Sequence, residues 1–329
     1  MNNSYDFHVG FQPFQLKPPA DVPKGIEQYK WTLEECERIG ARSISLMPNL
    51  LPSSPTRSTL TEMADMAKEK DVTLILYPFT VWGLAGLPLQ VDGWGQLGFL
   101  VGASKPGDIP NAASARSGVE TDIKMAEILG SEIFCSGYGH LNIETSRYNK
   151  EFPFSEQKKF IVANLKEMAK MLDGTNITFA YENHCDFIGK EIASIIEEVG
   201  SPHVMSLYDF GNAAVVCADP MEDVEYLAPY TVAAHFKDFK VVMNPHKTKE
   251  NPDMPMVLAG CYLGDGFIDF EKILQAIIDK APNPKGMALL AEPAFQKPVG
   301  DEKQMDRDEF HRKVTRQYVS KMLEIVQKF

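Results

Sequence analysis

The sequence predicts an α/β protein folded as a single (β/α)8 barrel, and three observations carry that expectation. Short apolar or β-branched runs alternate with longer amphipathic segments from end to end, the pattern of successive βα units. Eight such runs can be counted, the number that closes a barrel. No G-x-G-x-x-G follows the first run, so the rival doubly wound sheet lacks its dinucleotide-binding turn. At 329 residues and 44% apolar content the chain can bury a large core. No linker rich in Gly, Ser or Pro divides it, and residues 1–329 are expected to form one domain.

Taken in order, the expected strands are FHVGF (7–11), SISLM (43–47), VTLILY (72–77), EIFCSG (132–137), NITFAYE (176–182), HVMSLYD (203–209), TVAAHF (231–236) and GMALLAE (286–292). They read as near-continuous apolar runs, as strands covered on both faces should. The helices between them carry a 3.6-residue repeat. In SEQKKFIVANLKEMAKMLD, after the fourth strand, Phe160, Ile161, Leu165, Met168 and Leu172 fall on one face, which should cover the barrel.

Two connections are longer than the usual few residues. The loop after strand three, 79–115, is rich in Gly and apolar residues and carries Trp82 and Trp94. It is expected either as an irregular packed loop or as a lid or docking surface on the catalytic face. The loop after strand seven, 239–263, contains the polar stretch NPHKTKENPDMP between apolar pieces, and is expected as a hairpin over the same face.

Composition removes several function classes. The formal charge is −12 and no run of Lys and Arg forms a stripe, which disfavours a nucleic-acid partner. No stretch reaches the ~18 apolar residues of a membrane span, and MNNSYDFHVGF lacks the basic and apolar regions of a signal peptide. Five dispersed cysteines without a CxxC suit a reducing, cytoplasmic setting.

In a (β/α)8 barrel, chemistry sits where strands end and βα loops begin. The fifth strand ends in Glu182, the sixth in Asp209, the seventh in His235 and the eighth in Glu292. A lone carboxylate at a strand end is commonly a helix cap or a solvated turn. Four polar ends on successive strands are another matter, because three carboxylates brought together raise one another's pKa unless a cation compensates. Two Glu, one Asp and one His form a mostly oxygen ligand set for one divalent cation, Mn²⁺ first, with Mg²⁺, Co²⁺ or Zn²⁺ as alternatives. His184 lies two residues past Glu182. An extended chain there would send it to the same side as the carboxylate, where an imidazole makes a good general base; the alternative is a surface His or one supporting the metal.

These residues in the contexts YEN, LYDFGN, AHFKD and LLAEP, with YLGDGFIDFEKIL at 262–274, resemble the xylose-isomerase-like sugar isomerase/epimerase superfamily of metal-dependent TIM barrels. The resemblance is closest over strands five to eight. It implies metal ligation by Glu182, Asp209, His235 and Glu292, and proton transfer beside the carbonyl of a small sugar or glycoside. In the superfamily's ketose 3-epimerases the two Glu ligands exchange protons with opposite faces of the sugar, roles that would fall to Glu182 and Glu292. This chain departs from that pattern. Asn212 stands where those enzymes resemble D-x-x-H, and Val241 where they place an Arg. The E-x-H of Glu182 and His184 instead resembles the large subunit of bacterial 3-oxo-glycoside C-deglycosidases, whose non-ligand His removes a proton before the aglycone leaves. That likeness implies lyase chemistry and a smaller second subunit, with an oligomer as a further expectation. Xylose isomerase proper and the trinuclear endonuclease IV branch fit poorly, the latter because MPN (47–49) and YPF (77–79) offer no His.

Around this centre, His140, Asn212 and Lys237 are expected to contact substrate, and Asp238 to anchor His235. Tyr181 and Tyr208 should pack outward, His8 should either face the barrel mouth or be buried and hydrogen-bonded, the second preferred, and Phe295 and Trp82 either stack on a ring or pack. The expected reaction is β-elimination from a 3-oxo-glucoside with His184 as base. The alternatives are ketose 3-epimerisation or isomerisation, and a non-catalytic barrel that binds a sugar or a partner.

Overall fold

The computed structural model describes residues 4–14, 16–47, 50–78, 81–86, 111–138, 147–148, 150, 153–184, 187–244, 256–294 and 298–329. Eight parallel strands close into a barrel: β1 (His8–Phe11), β2 (Ser43–Leu46), β3 (Thr73–Leu76), β4 (Ile133–Gly137), β5 (Thr178–Glu182), β6 (Val204–Asp209), β7 (Thr231–Phe236) and β10 (Ala288–Ala291). Each pairs with its sequence neighbours, and β10 closes the ring between β7 and β1. Every barrel strand falls inside a predicted run. The starts of the fifth and last strands each fall two residues later than expected, at Thr178 and Ala288, and Gly286 adopts φ +75° in the turn before the last.

Alternation along the strands decides what the site can contain. Ile75, Cys135, Ala180, Leu207, Ala233, Ala288 and Leu290 form a separate buried cluster inside the barrel. Glu182, Asp209, His235 and Glu292 share the parity of Ala180, Leu207, Ala233 and Leu290, two residues further on. Their side chains therefore point inward at the C-terminal rim. At the other end, His8 bonds Thr73 Oγ1 through Nδ1 at 2.6 Å. Gly10 is required where β1 meets β2, since a Cβ there would lie 1.7 Å from the Ser43 carbonyl oxygen.

The helices are α1 (Ile26–Ile39), α2 (Arg57–Glu69), α3 (Ala112–Leu129), α4 (Phe154–Leu172), α5 (Gly189–Val199), α6 (Asn212–Val215), α7 (Pro220–Leu227), α8 (Phe270–Lys280) and α9 (Arg307–Val326). Their ends are set by local chemistry. Thr56, Asn111, Asp219, Asp269 and Asp306 accept backbone N–H groups at N-caps, while Gly40, Gly130 and Gly200 end helices in the left-handed conformation. The predicted face of α4 is buried at all five positions. In α8, Phe270, Ile273, Leu274, Ile277 and Ile278 do the same, each worth roughly 1.5–3 kcal/mol of burial. Among the described residues, no helix is long and apolar enough to cross a membrane. Among the described residues, Cys36, Cys135 and Cys217 form no disulfide.

Of the 79–115 loop, residues 79–80 and 87–110, including Trp94, lie outside the described residues. Between the two expectations, the described parts decide in favour of packing for Trp82. It is only 2% exposed, packed edge-on against Tyr138 and Tyr181 with ring centroids at 5.4 and 6.1 Å, so it belongs to the core and faces neither solvent nor a ligand. The 239–263 segment contains an antiparallel hairpin, β8 (Phe239–Met243) and β9 (Met256–Gly260). Its base seats on the C-terminal rim: a Cβ on Gly211 would meet the Phe239 ring, and one on Gly260 the Ala294 backbone.

Candidate metal centre

The rim gathers four side chains from four strand ends. One ligand-type atom from each of Glu182, Asp209, His235 and Glu292 lies within 4.8 Å of all the others. His235 Nδ1 is 2.6 Å from Glu292 Oε2 and 3.2 Å from Glu182 Oε1. Lys237 completes the cluster, its Nζ 2.6 Å from Asp209 Oδ2, 3.2 Å from Glu292 Oε1 and 3.1 Å from Asn212 Oδ1.

Neighbouring backbone and amides hold these groups in place. Asp209 Oδ1 accepts the N–H groups of Gly211 and Asn212 at 2.8 and 3.1 Å. Asn183 clamps the Asp209 backbone from both sides, donating to its carbonyl at 3.0 Å and accepting its N–H at 2.6 Å. The end of β5 and the end of β6 are thereby locked together. The Glu292 N–H donates to the Phe236 carbonyl at 3.0 Å, so pairing extends one residue past β10.

Burial and charge work against each other here. Burial pushes the Asp209 carboxyl up to about 6 despite the adjacent Lys237 ammonium. Burial also raises Glu182 and Glu292, but His235, and for Glu292 Lys237 as well, more than compensates, so both carboxyls end below their usual range. Burial lowers the His235 imidazole, yet Glu292 and Glu182 outweigh it and hold the ring up to about 10. Three carboxylates facing one ammonium leave two negative charges when His235 is neutral, and one divalent cation cancels two charges. The donor set, three carboxylates and one imidazole nitrogen aimed at them, therefore fits such an ion in both chemistry and charge. Binding it would release the imidazole proton.

His184 sits just above the cluster. A Cβ on Gly137 would lie 2.7 Å from His184 Cβ and 3.5 Å from Glu182 Oε2, so the glycine that ends β4 is what leaves room for the imidazole beside the carboxylate. His184 Nδ1 is shielded from solvent and has no hydrogen-bond partner among the described residues. Burial lowers the affinity of this ring for a proton, against the pull of Glu182. Of the expected substrate contacts, Asn212 reaches Glu182 Oε1 through Nδ2 at 3.5 Å and Lys237 through Oδ1. Lys237 is turned into the carboxylates. His140 and Phe295 lie outside the described residues.

The expectation for Asp238 is corrected. Its carboxylate accepts the N–H groups of Phe239, Gly264 and Gly266 at 2.8, 2.9 and 3.0 Å, so it secures the turn before α8 rather than the imidazole of His235. Tyr181 and Tyr208 are buried, and Tyr208 donates to the Pro220 carbonyl at 3.0 Å. Two neighbours of His235 were missed from sequence. Gln12 Nε2 lies 3.0 Å from His235 Nε2 and 3.1 Å from Glu292 Oε2, and the Tyr77 hydroxyl is 3.3 Å from His235 Nε2. Both directly follow a barrel strand, so the strand-end rule applied to the first half of the chain would have found them.

Comparison with known proteins agrees with this fold. Residues 98–305 match the xylose isomerase-like TIM barrel family, and the chain belongs to it. Two curated relatives are similar over part of their length: the uncharacterized protein YihM of Escherichia coli K12, 25% identical over 42% of this chain and 41% of that protein, and the 3-oxo-isoapionate decarboxylase of Pectobacterium atrosepticum, 24% identical over 36% and 39%. The chain thus spans about two fifths of the length of the curated relatives it matches. Among solved structures, the IolI protein with a bound zinc atom superposes with a TM-score of 0.62 at 14% identity, covering 98% and 99% of the two chains. D-psicose 3-epimerase with D-tagatose from Clostridium cellulolyticum H10 gives 0.64 at 15%, covering 97% and 99%. At these identities the structures share the fold.

Proposed function

We propose that this chain is a divalent-metal-dependent enzyme that removes a proton beside a sugar carbonyl, and that its reaction is β-elimination from a 3-oxo-glucoside with His184 as the base. The observation that carries the reading is the four-residue rim cluster together with a neighbouring His184 whose Nδ1 is shielded and, among the described residues, without a hydrogen-bond partner. Glu182, Asp209, His235 and Glu292 would hold the cation, with Mn²⁺ as the first candidate. When bound, it supplies Lewis-acid stabilisation of charge developing on a carbonyl oxygen, worth several kcal/mol.

The chain's own groups do the rest. A ketone at C3 acidifies the C2–H bond, and His184 takes that proton. The freed electron pair forms the C1–C2 double bond as the bond from C1 to the aglycone breaks, and the departing aglycone takes up a proton. A positioned base of this kind contributes about 10²–10⁴-fold. Lys237 keeps Asp209 and Glu292 ionised and in place, and Asn212 bridges Lys237 to Glu182. The name of one partial relative, 3-oxo-isoapionate decarboxylase, is consistent with a substrate activated by a 3-oxo group.

A second reading has its own support. Glu182 and Glu292, the two carboxylates that ketose 3-epimerisation would use as its acid–base pair, both reach His235 Nδ1 in the same cluster, and a D-psicose 3-epimerase shares the fold. Against it, Val241 lies on β8 with its side chain 53% exposed, so no Arg enters the site from that position. Incubation in D2O with 3-oxo-glucosides and with free ketoses separates the readings. Loss of the aglycone together with exchange at C2 supports elimination. Exchange confined to free ketoses supports epimerisation, and no exchange with either, by metal-loaded protein, supports a non-catalytic barrel.

A further inference from the structure

The inward faces of β3 and β4 carry two groups that the proposed reaction does not use. Tyr77, directly after β3, has its hydroxyl 3.3 Å from His235 Nε2. Cys135, on β4, is a fully buried free thiol in hydrogen-bonding contact with that hydroxyl. The opposite nitrogen of His235, Nδ1, faces Glu292 and Glu182. The imidazole therefore spans two environments, carboxylates on one side and a phenol–thiol pair on the other.

Gln12 does not decide which nitrogen carries the proton. Its Nε2 is almost equally far from both ring nitrogens, 3.0 and 3.4 Å, so it lies against the ring rather than along either in-plane lone pair. It also donates to Glu292 Oε2 at 3.1 Å; turning the amide over would set its oxygen against that carboxylate. Among the described residues, the hydroxyl of Tyr77 is left as the group able to accept an N–H at Nε2.

We propose that Tyr77 is a positioning residue that fixes the tautomer of His235: its oxygen accepts the Nε2–H while its own proton goes to Cys135 Sγ, leaving the Nδ1 lone pair aimed into the carboxylate cluster. The inference rests on the reading of that cluster as a metal centre. Supporting groups of this kind orient a ligating histidine, and their removal typically weakens metal binding 10–100-fold.

The test is titration calorimetry of the full-length, metal-stripped protein with Zn²⁺ and Mn²⁺, together with long-range ¹H–¹⁵N spectra of the zinc-loaded form, with His235 assigned through a His235→Gln variant. Wild-type protein should bind one ion, with zinc on Nδ1 and the proton on Nε2. Tyr77→Phe should fold normally and bind 10–100-fold more weakly, and Cys135→Ser, which keeps an acceptor for the tyrosine, should bind more tightly than Cys135→Ala. If Tyr77→Phe does not fold, the Cys135 pair carries the same comparison. Zinc on Nε2, or affinities in Tyr77→Phe and Cys135→Ala equal to wild type, would overturn the tautomer role while leaving the metal centre intact. A wild-type protein that takes up no divalent ion would overturn the metal centre, and this role with it.

Discussion

Replacing Gly137 by alanine should disable the enzyme without removing its metal. The added Cβ would sit 2.7 Å from His184 Cβ and 3.2 Å from its Cγ, whereas ordinary contacts begin at 3.4 Å. The new methyl and His184 Cβ, which carries the imidazole, must therefore separate by about 0.7 Å, the difference between 3.4 and 2.7 Å. Misplacing a catalytic group by about 1 Å lowers rates by roughly 10²-fold, and overpacking at a filled site costs about 1–3 kcal/mol of stability. Glu182 Oε2, at 3.5 Å from the new methyl, is already at ordinary contact distance and need not move. The assay pairs aglycone release from a 3-oxo-glucoside with calorimetric metal affinity: turnover should fall about 100-fold while the affinity stays within twofold of wild type. Wild-type turnover in a folded Gly137→Ala protein would refute the placement of His184 as the base.

His184→Ala should lower turnover by about 10²–10⁴-fold with metal content unchanged by elemental analysis; loss of metal as well would make His184 a ligand or a ligand support. Chelator treatment should lower the melting temperature, and re-adding the ion at ~100 times its Kd should restore about 2.7 kcal/mol of stability; no shift on metal addition would count against the rim cluster as a binding site. Asp122, half-buried on α3, has its carboxyl raised by burial to about 6. The native state then binds the extra proton, so the group's contribution is greatest at low pH and declines as pH rises from the ordinary 3.8 to about 6. Asp122→Asn should accordingly be more stable than wild type above pH 6, by roughly 1–2 kcal/mol after allowance for partial exposure, and urea melts at pH 4 and 7 would show whether the gap grows. Glu302 has the opposite sign: Lys313 and Tyr262 hold its carboxyl down to about 2. Its stabilisation is present above the ordinary 4.5 and is lost as pH falls towards 2, so Glu302→Gln should be destabilising at pH 7 and neutral near pH 2.

The barrel was legible because its two periodicities are written in side-chain type. Runs such as VTLILY and TVAAHF can be buried only between helices, and the face of α4 is one apolar stripe. Glu182, Asp209, His235 and Glu292 could be named from sequence because each follows an inward-facing apolar residue by two positions. What escaped was contact between distant strands. Tyr77 and Gln12 stand at strand ends and so were available as rim candidates, but their contact with His235, 158 and 223 residues away, is written nowhere in the sequence. Asp238 was misassigned for a related reason: its nearness in sequence to His235 suggested a shared task, but its carboxylate turns towards the N–H groups of Gly264 and Gly266. For Trp82 the sequence left stacking on a ring and packing both open, because a Gly-rich segment gives no sign of the pocket formed by Tyr138, Phe160 and Tyr181.

The most direct measurement is aglycone release from a 3-oxo-glucoside carrying deuterium at C2, followed with metal-loaded, metal-stripped and His184→Ala protein. Proton abstraction by His184 in a metal-dependent elimination predicts release by the metal-loaded protein alone, slowed by the deuterium relative to the protiated substrate. Release that survives removal of the metal, or no release by the metal-loaded wild-type protein, would contradict it.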